Sequence, residues 1–271
     1  MTERIFSLAA LTVLELSPPD MVEAAARAGY SHVGLRLVPA TEQEQHFPLV
    51  ADAELRRQTQ ARLRDTGIKV LDLEILRLKP ETCVADFEPI LAVGAELGGT
   101  ELLVAGNDPD EARLTERFAA LCELAAGYGI HPHLEFMPWT EVRDLRQAMR
   151  VVANADHGNG CVLVDAFHFN RSRSSLDDLA QLAPQRMRYA QLCDVAGPLP
   201  ADMDEILRQA RNGRRLPGDG DADLVSLLRV LPSSVPLSLE IPTRQLLEQG
   251  ISGEQRARMA LEKAKAVLAA V

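Results

Sequence analysis

The chain has 271 residues, 46% of them hydrophobic and 25% charged, with a formal net charge of −10. A nucleic-acid surface needs Lys and Arg in excess, so the charge argues against one. No apolar run reaches bilayer length and "MTERIFSLAALTV" lacks a signal-peptide cleavage pattern, so a cytoplasmic protein with no membrane partner is expected.

Short apolar segments alternate with amphipathic ones along the whole chain. "IFSLAALTV" reads as a strand and leads into "SPPDMVEAAARAGY", a helix with Ser17 as N-cap, prolines in its first turn and Gly29 at its end. "HVGLRLV" then precedes the helix "DAELRRQTQARLRDTG", "IKVLDLEILRL" precedes "ADFEPILAVGAELGG", and "TELLVAGN" precedes "DEARLTERFAALCELAAGYG". In the second half, "IHPHLEFMPW" precedes "EVRDLRQAMRVVANAD", and "GCVLVDAFHF" precedes "SLDDLAQLA". "MRYAQLCDV" is followed by an irregular loop and "ADLVSLLRVLP", and "VPLSLEIPT" by "SGEQRARMALEKAKAVLAAV". Such alternation implies a parallel sheet with right-handed crossovers, and eight units at this length predict one (β/α)8 TIM-barrel domain over residues 1–271. The four cysteines (Cys83, Cys122, Cys161 and Cys193) contain no CxxC pair and read as free thiols.

Four polar residues interrupt the strand-like segments of the second half: Glu135 in "HPHLEFMPW", Asp165 in "CVLVDAFHF", Gln191 in "MRYAQLCDV" and Glu240 in "VPLSLEIPT". Buried carboxylates are costly unless compensated, and a divalent metal is a usual compensation. All four fall late in strands 5 to 8, the end of a barrel at which active sites form, and all four offer oxygen donors suited to a hard cation.

The pattern "LEF … VDAFH … QLCD … LEI", with "LPGDGDADL" before the last strand, resembles the xylose-isomerase-like barrels of the sugar isomerase/epimerase superfamily. The resemblance implies one divalent cation, manganese or magnesium first and cobalt or zinc as alternatives, held by Glu135, Asp165, residue 191 and Glu240. It also implies that Glu135 and Glu240 act as an acid/base pair on opposite faces of a small sugar or keto-polyol. Family members carry His at position 191; this chain has Gln, whose neutral carbonyl oxygen favours magnesium or manganese over zinc. That Gln, with "VDAFHF", "AQLCD" and "LPGDGDADL", is equally similar to bacterial 3-dehydroshikimate dehydratases built on the same barrel. A DNA-repair endonuclease branch needs histidines on strands 3 and 4, where "VLDLEIL" and "ELLVAGN" offer none.

The chemistry joins these readings. A divalent ion chelated by a ketone and its neighbouring hydroxyl acidifies the adjacent C–H and stabilises an enediolate, which returns as an epimer, an isomer or a dehydrated product. An isomerase or epimerase of a small, sometimes phosphorylated, sugar is the first expectation, with a 3-dehydroshikimate-type lyase as the alternative. His168 is expected to contact substrate and exchange protons with a leaving hydroxyl, and Trp139 to wall the pocket. Arg214 and Arg215 are the better candidates for a substrate anion, ahead of Arg171 and Arg173; Arg36 and Glu74 either pair with each other or bind substrate. Asp194 is expected to orient a ligand, His133 to be a satisfied core group, and "GDGD" at 218–221 to be a turn. Partners are a small-molecule substrate and, since barrels of this family often associate, a second copy.

Overall fold

Helix starts in the chain are marked by side chains that accept otherwise free backbone amides. Ser17, Asp52, Asp110, Asp144 and Ser252 cap α1 (Pro18–Ala28), α2 (Ala53–Thr66), α4 (Glu111–Ala126), α5 (Leu145–Asn154) and α11 (Gly253–Leu268) in this way. Gly29 ends α1 at φ +95°, a conformation that L side chains rarely adopt. The remaining helices are α3 (Glu88–Glu96), α6 (Ala166–Arg171), α7 (Leu176–Leu179), α8 (Met203–Arg208), α9 (Leu224–Val230) and α10 (Arg244–Glu248).

In the computed structural model, which describes residues 4–271, eight parallel strands close into a barrel in chain order. They are β1 (Phe6–Leu8), β2 (His32–Arg36), β3 (Lys69–Leu78), β4 (Glu101–Gly106), β5 (His131–Glu135), β6 (Cys161–Asp165), β7 (Ala190–Leu192) and β8 (Leu237–Leu239), with β8 pairing back onto β1. The main core lies between strands and helices, where Phe118 and Leu121 of α4 and Val151 of α5 are fully buried. A separate apolar cluster that includes Leu71, Leu103, Leu163 and Tyr189 fills the barrel axis. Ser7, Asp72, Glu101, His133, Gln191 and Ser238 are buried on the same strands or at their ends, so the axis is part polar. Such an interior departs from the branched apolar layers usual in this architecture.

Three elements differ from the sequence expectation. "IFSLAALTV" is strand only over Phe6–Leu8, after which Ala10–Val13 forms a 3-10 turn. Thr12 ties that turn to β8, its hydroxyl donating to Leu239 O at 2.7 Å and accepting from Ile241 N at 2.8 Å. β6 stops at Asp165 because its carboxylate accepts the His168 amide at 2.9 Å and so caps α6, an apolar stretch that reads as more strand. The loop after β7 contains α8 and a π-helical turn, Gln209–Gly213, which delivers Arg214 into the barrel mouth.

Candidate metal centre and active site

Three of the four predicted ligands converge. Glu135 at the end of β5, Asp165 at the end of β6 and Glu240 just after β8 are buried, each offering an oxygen within 4.8 Å of the others'. Gln191 on β7 stands in register with Asp165 on one side and Ser238 on the other, level with the cluster. It is 1% exposed, and neither amide atom finds a hydrogen-bond partner among the described residues. Buried amides are almost always paired, so an orphaned one beside three carboxylates points to a missing ligand.

Charge gives the same answer. Arg214 Nη1 lies 2.8 Å from Asp165 Oδ2 and 2.8 Å from Glu240 Oε2. Burial alone would lower this guanidinium, but Asp165 and Glu240 outweigh it and hold it well above its ordinary value. Three carboxylates against one guanidinium leave two negative charges unbalanced, which is the charge a divalent cation supplies. Burial first, then Glu240 and Asp165, push Glu135 well above the carboxylate range when no cation is counted. Carboxylates with one amide oxygen form a hard donor set, so the residues fit a divalent ion.

His168, on α6, turns Nε2 toward this cluster, 3.6 Å from Glu135 Oε1 and 3.9 Å from Asp165 Oδ1. Burial, reinforced by Arg214, holds the imidazole well below its ordinary value, so it is neutral at pH 7. Trp139 packs edge-on against it with ring centroids 5.0 Å apart. Both line a cavity of about 380 Å³ that also takes in Glu74, Glu135, Arg214 and Glu240, while Asp165 and Gln191 lie beneath its floor.

Arg36 and Glu74 do pair across the cavity wall, with Arg36 Nη2 2.9 Å from Glu74 Oε2. Two expected residues stand elsewhere. Arg215 is exposed outside this cavity, because its backbone bridges to Asp194 and turns its side chain outward from Arg214. The carboxylate of Asp194 accepts the amides of Val195, Gly218, Gly220 and Ala222 at 2.8 to 3.1 Å and so shapes the "GDGD" turn. Arg171 is buried and holds Ala196 O and Gln209 Oε1, and Arg173 is exposed; His133, expected to be a satisfied core group, is buried with Nε2 2.8 Å from Glu101 but Nδ1 unpartnered among the described residues.

Sequence reasoning missed Arg77 and Arg211, which line the cavity without any carboxylate partner among the described residues. Arg77 donates only to Asn107 Oδ1 at 3.2 Å and Ala40 O at 3.4 Å. Its place three residues after Glu74 near the end of β3 was the available signal; Arg211, on an unforeseen π-helical turn, had none.

Fold and site together define a (β/α)8 barrel with a buried acidic cluster at the C-terminal mouth of its strands. The chain belongs to the xylose isomerase-like TIM barrel family, whose model matches residues 22–267. Its members include isomerases, epimerases and dehydratases. It is 27% identical over 189 residues to a 3-dehydroshikimate dehydratase of Pseudomonas putida, covering 62% of this chain and 29% of that protein. It is 32% identical over 155 residues to one of Pseudomonas aeruginosa, covering 54% and 24%. The chain thus spans less than a third of the length of these relatives. Among solved structures, the IOLI protein with a bound zinc atom superposes with a TM-score of 0.81 at 19% identity over 98% of both chains, a likeness of fold.

Proposed function

We propose that this chain is a divalent-metal-dependent lyase that removes water from a small carboxylated β-hydroxy ketone, 3-dehydroshikimate or a near relative. The observation that carries this reading over an epimerase is the unequal state of the candidate acid/base groups. An epimerase draws on Glu135 and Glu240 from opposite faces, yet Glu240 is tied to Arg214 at 2.8 Å while the neutral His168 turns Nε2 toward the cluster, its nearest carboxylate 3.6 Å away. Elimination needs one group that takes a proton from carbon and returns it to the leaving hydroxyl.

His168 Nε2 takes the proton from the carbon beside the ketone, and the Glu135 carboxylate 3.6 Å away stabilises the imidazolium. The same proton then goes to the departing hydroxyl, so one C–H and one C–O bond break, a C=C bond forms and water leaves. Glu135, Asp165, Gln191 and Glu240 would hold a divalent ion, which would supply Lewis acidity toward the carbonyl oxygen. Arg77 and Arg211 bind the substrate carboxylate, and Trp139 shields the imidazole from water. The named activity of the two Pseudomonas relatives supports this substrate class.

Proton NMR in deuterated buffer, with magnesium-loaded protein and a panel of ketoses, ketose phosphates and 3-dehydroshikimate, tests the reading. Loss of water with new vinylic or aromatic signals is expected from 3-dehydroshikimate alone. Deuterium uptake into a ketose of unchanged formula would instead make the chain an epimerase or isomerase.

A further inference from the structure

Gln191 has different neighbours on its two sides. In register on β6 stands Asp165, one of the three clustered carboxylates, and in register on β8 stands Ser238. Ala190 and Leu192 on β7, like Leu237 and Leu239 on β8, belong to the main core. Alternation therefore turns Gln191 and Ser238 to the barrel axis, where both are buried. A serine there is unexpected, since branched apolar side chains dominate the interior of this architecture. Its hydroxyl makes one hydrogen bond among the described residues, donating across the barrel to Asp72 Oδ1 on β3 at 3.4 Å. Asp72 is seated against Gly34 of β2, where an added Cβ would come within 2.5 Å of Asp72 Oδ2, so the carboxyl occupies space that only glycine leaves.

Gln191 and Ser238 have complementary needs. Both amide atoms of Gln191 lack a hydrogen-bond partner, while Ser238 Oγ donates once and accepts from no donor among the described residues. An amide's oxygen and nitrogen point to opposite sides of its terminal carbon. Setting Oε1 toward Asp165 and the cluster therefore sets Nε2 toward Ser238, on a strand about 4.8 Å away. A turn about the last side-chain bond, which is soft, selects between the two orientations. The opposite one would place the amide N–H groups against a cation.

We propose that Ser238 and Asp72 are positioning residues of the metal centre, which hold Gln191 with its carbonyl oxygen toward the cation. Gln191 Nε2 donates to Ser238 Oγ, and Ser238 donates in turn to Asp72 Oδ1. The relay occupies the orphaned amide nitrogen and leaves the amide oxygen free for the ion. It ends on a carboxyl whose place is fixed by Gly34. An amide that donates through nitrogen carries more negative charge on oxygen, so the relay strengthens the ligand as well as aiming it. This inference rests on the reading of the acidic cluster as a divalent-ion site.

Calorimetric titration with manganese reads the relay without turnover. Ser238→Ala is expected to weaken the ion about tenfold or more, and Ser238→Thr, which keeps the hydroxyl, to stay within about threefold of wild type. In a Gln191→Leu background, Ser238→Ala should change affinity by under about twofold, because no amide remains to be aimed. A serine that merely supports the fold would lower affinity equally in both backgrounds. That result, or wild-type affinity in Ser238→Ala, overturns the proposal. Asp72→Leu, nearly the same shape without an acceptor, is expected to weaken the ion in the same direction by a smaller factor. Asp72→Ala replaces it should it fail to fold, and wild-type affinity in the variant removes Asp72 from the relay. A wild type that takes up no manganese overturns the metal reading and the relay with it, whereas equal binding by wild type and Ser238→Ala overturns the relay alone.

Discussion

The two ends of the barrel both bury acids, and they treat them differently. At the lower end Glu101, before the β4 core, is met by His133 Nε2 at 2.8 Å and Arg188 at 3.0 Å. Burial alone would raise Glu101, but His133 and Arg188 reverse that and hold it below its ordinary value. At the upper end Glu135, Asp165 and Glu240 face a single guanidinium, and Gln191 beside them is unpartnered among the described residues. A buried acid whose partners close the charge and hydrogen-bond balance is a fold-holding device; one whose partners fall short points to something the chain must bind.

Substitutions at the two ends should separate these roles. The largest effect is expected at the upper end: His168→Asn should lower kcat about 10²–10⁴-fold, measured on 3-dehydroshikimate, with the thermal midpoint nearly unchanged. Gln191→Leu comes next. It removes a neutral oxygen donor and should weaken divalent-ion affinity on the order of tenfold or more in calorimetric titration, while removing an orphaned polar group from the interior. At the lower end Glu101→Gln should leave kcat intact but cost about 1–3 kcal/mol in urea denaturation. Because the folded state holds Glu101 below its ordinary value, that deficit should be full at neutral pH and shrink as pH falls through the carboxylate range. The smallest effect belongs to Arg215→Ala, expected to shift stability by under about 0.5 kcal/mol and leave catalysis unchanged. A catalytic defect in Glu101→Gln, or none in His168→Asn, would erase the contrast.

Much of this was legible before any fold was seen. Eight strand–helix units follow from hydrophobic period and helix caps, and Glu135, Asp165, Gln191 and Glu240 stand out because each interrupts an otherwise apolar strand. The arginines were not legible in the same way. Whether Arg214 or Arg215 enters the barrel depends on a backbone bridge to Asp194, and Arg211 depends on a π-helical turn; both are tertiary facts. The four backbone amides that Asp194 holds were not legible either, since they lie as far as 28 residues along the chain. On β3, alternation puts Asp72 and Glu74 on one face, but only Gly34 opposite makes room for Asp72.

The central claim is that the upper cluster is completed by one divalent cation. Metal analysis of the purified chain after dialysis against manganese tests it most directly, with Glu135→Gln/Asp165→Asn as the control. The charge balance predicts one ion per wild-type chain and none in the double variant. A wild type that retains no ion, or a double variant that retains as much, would contradict the account.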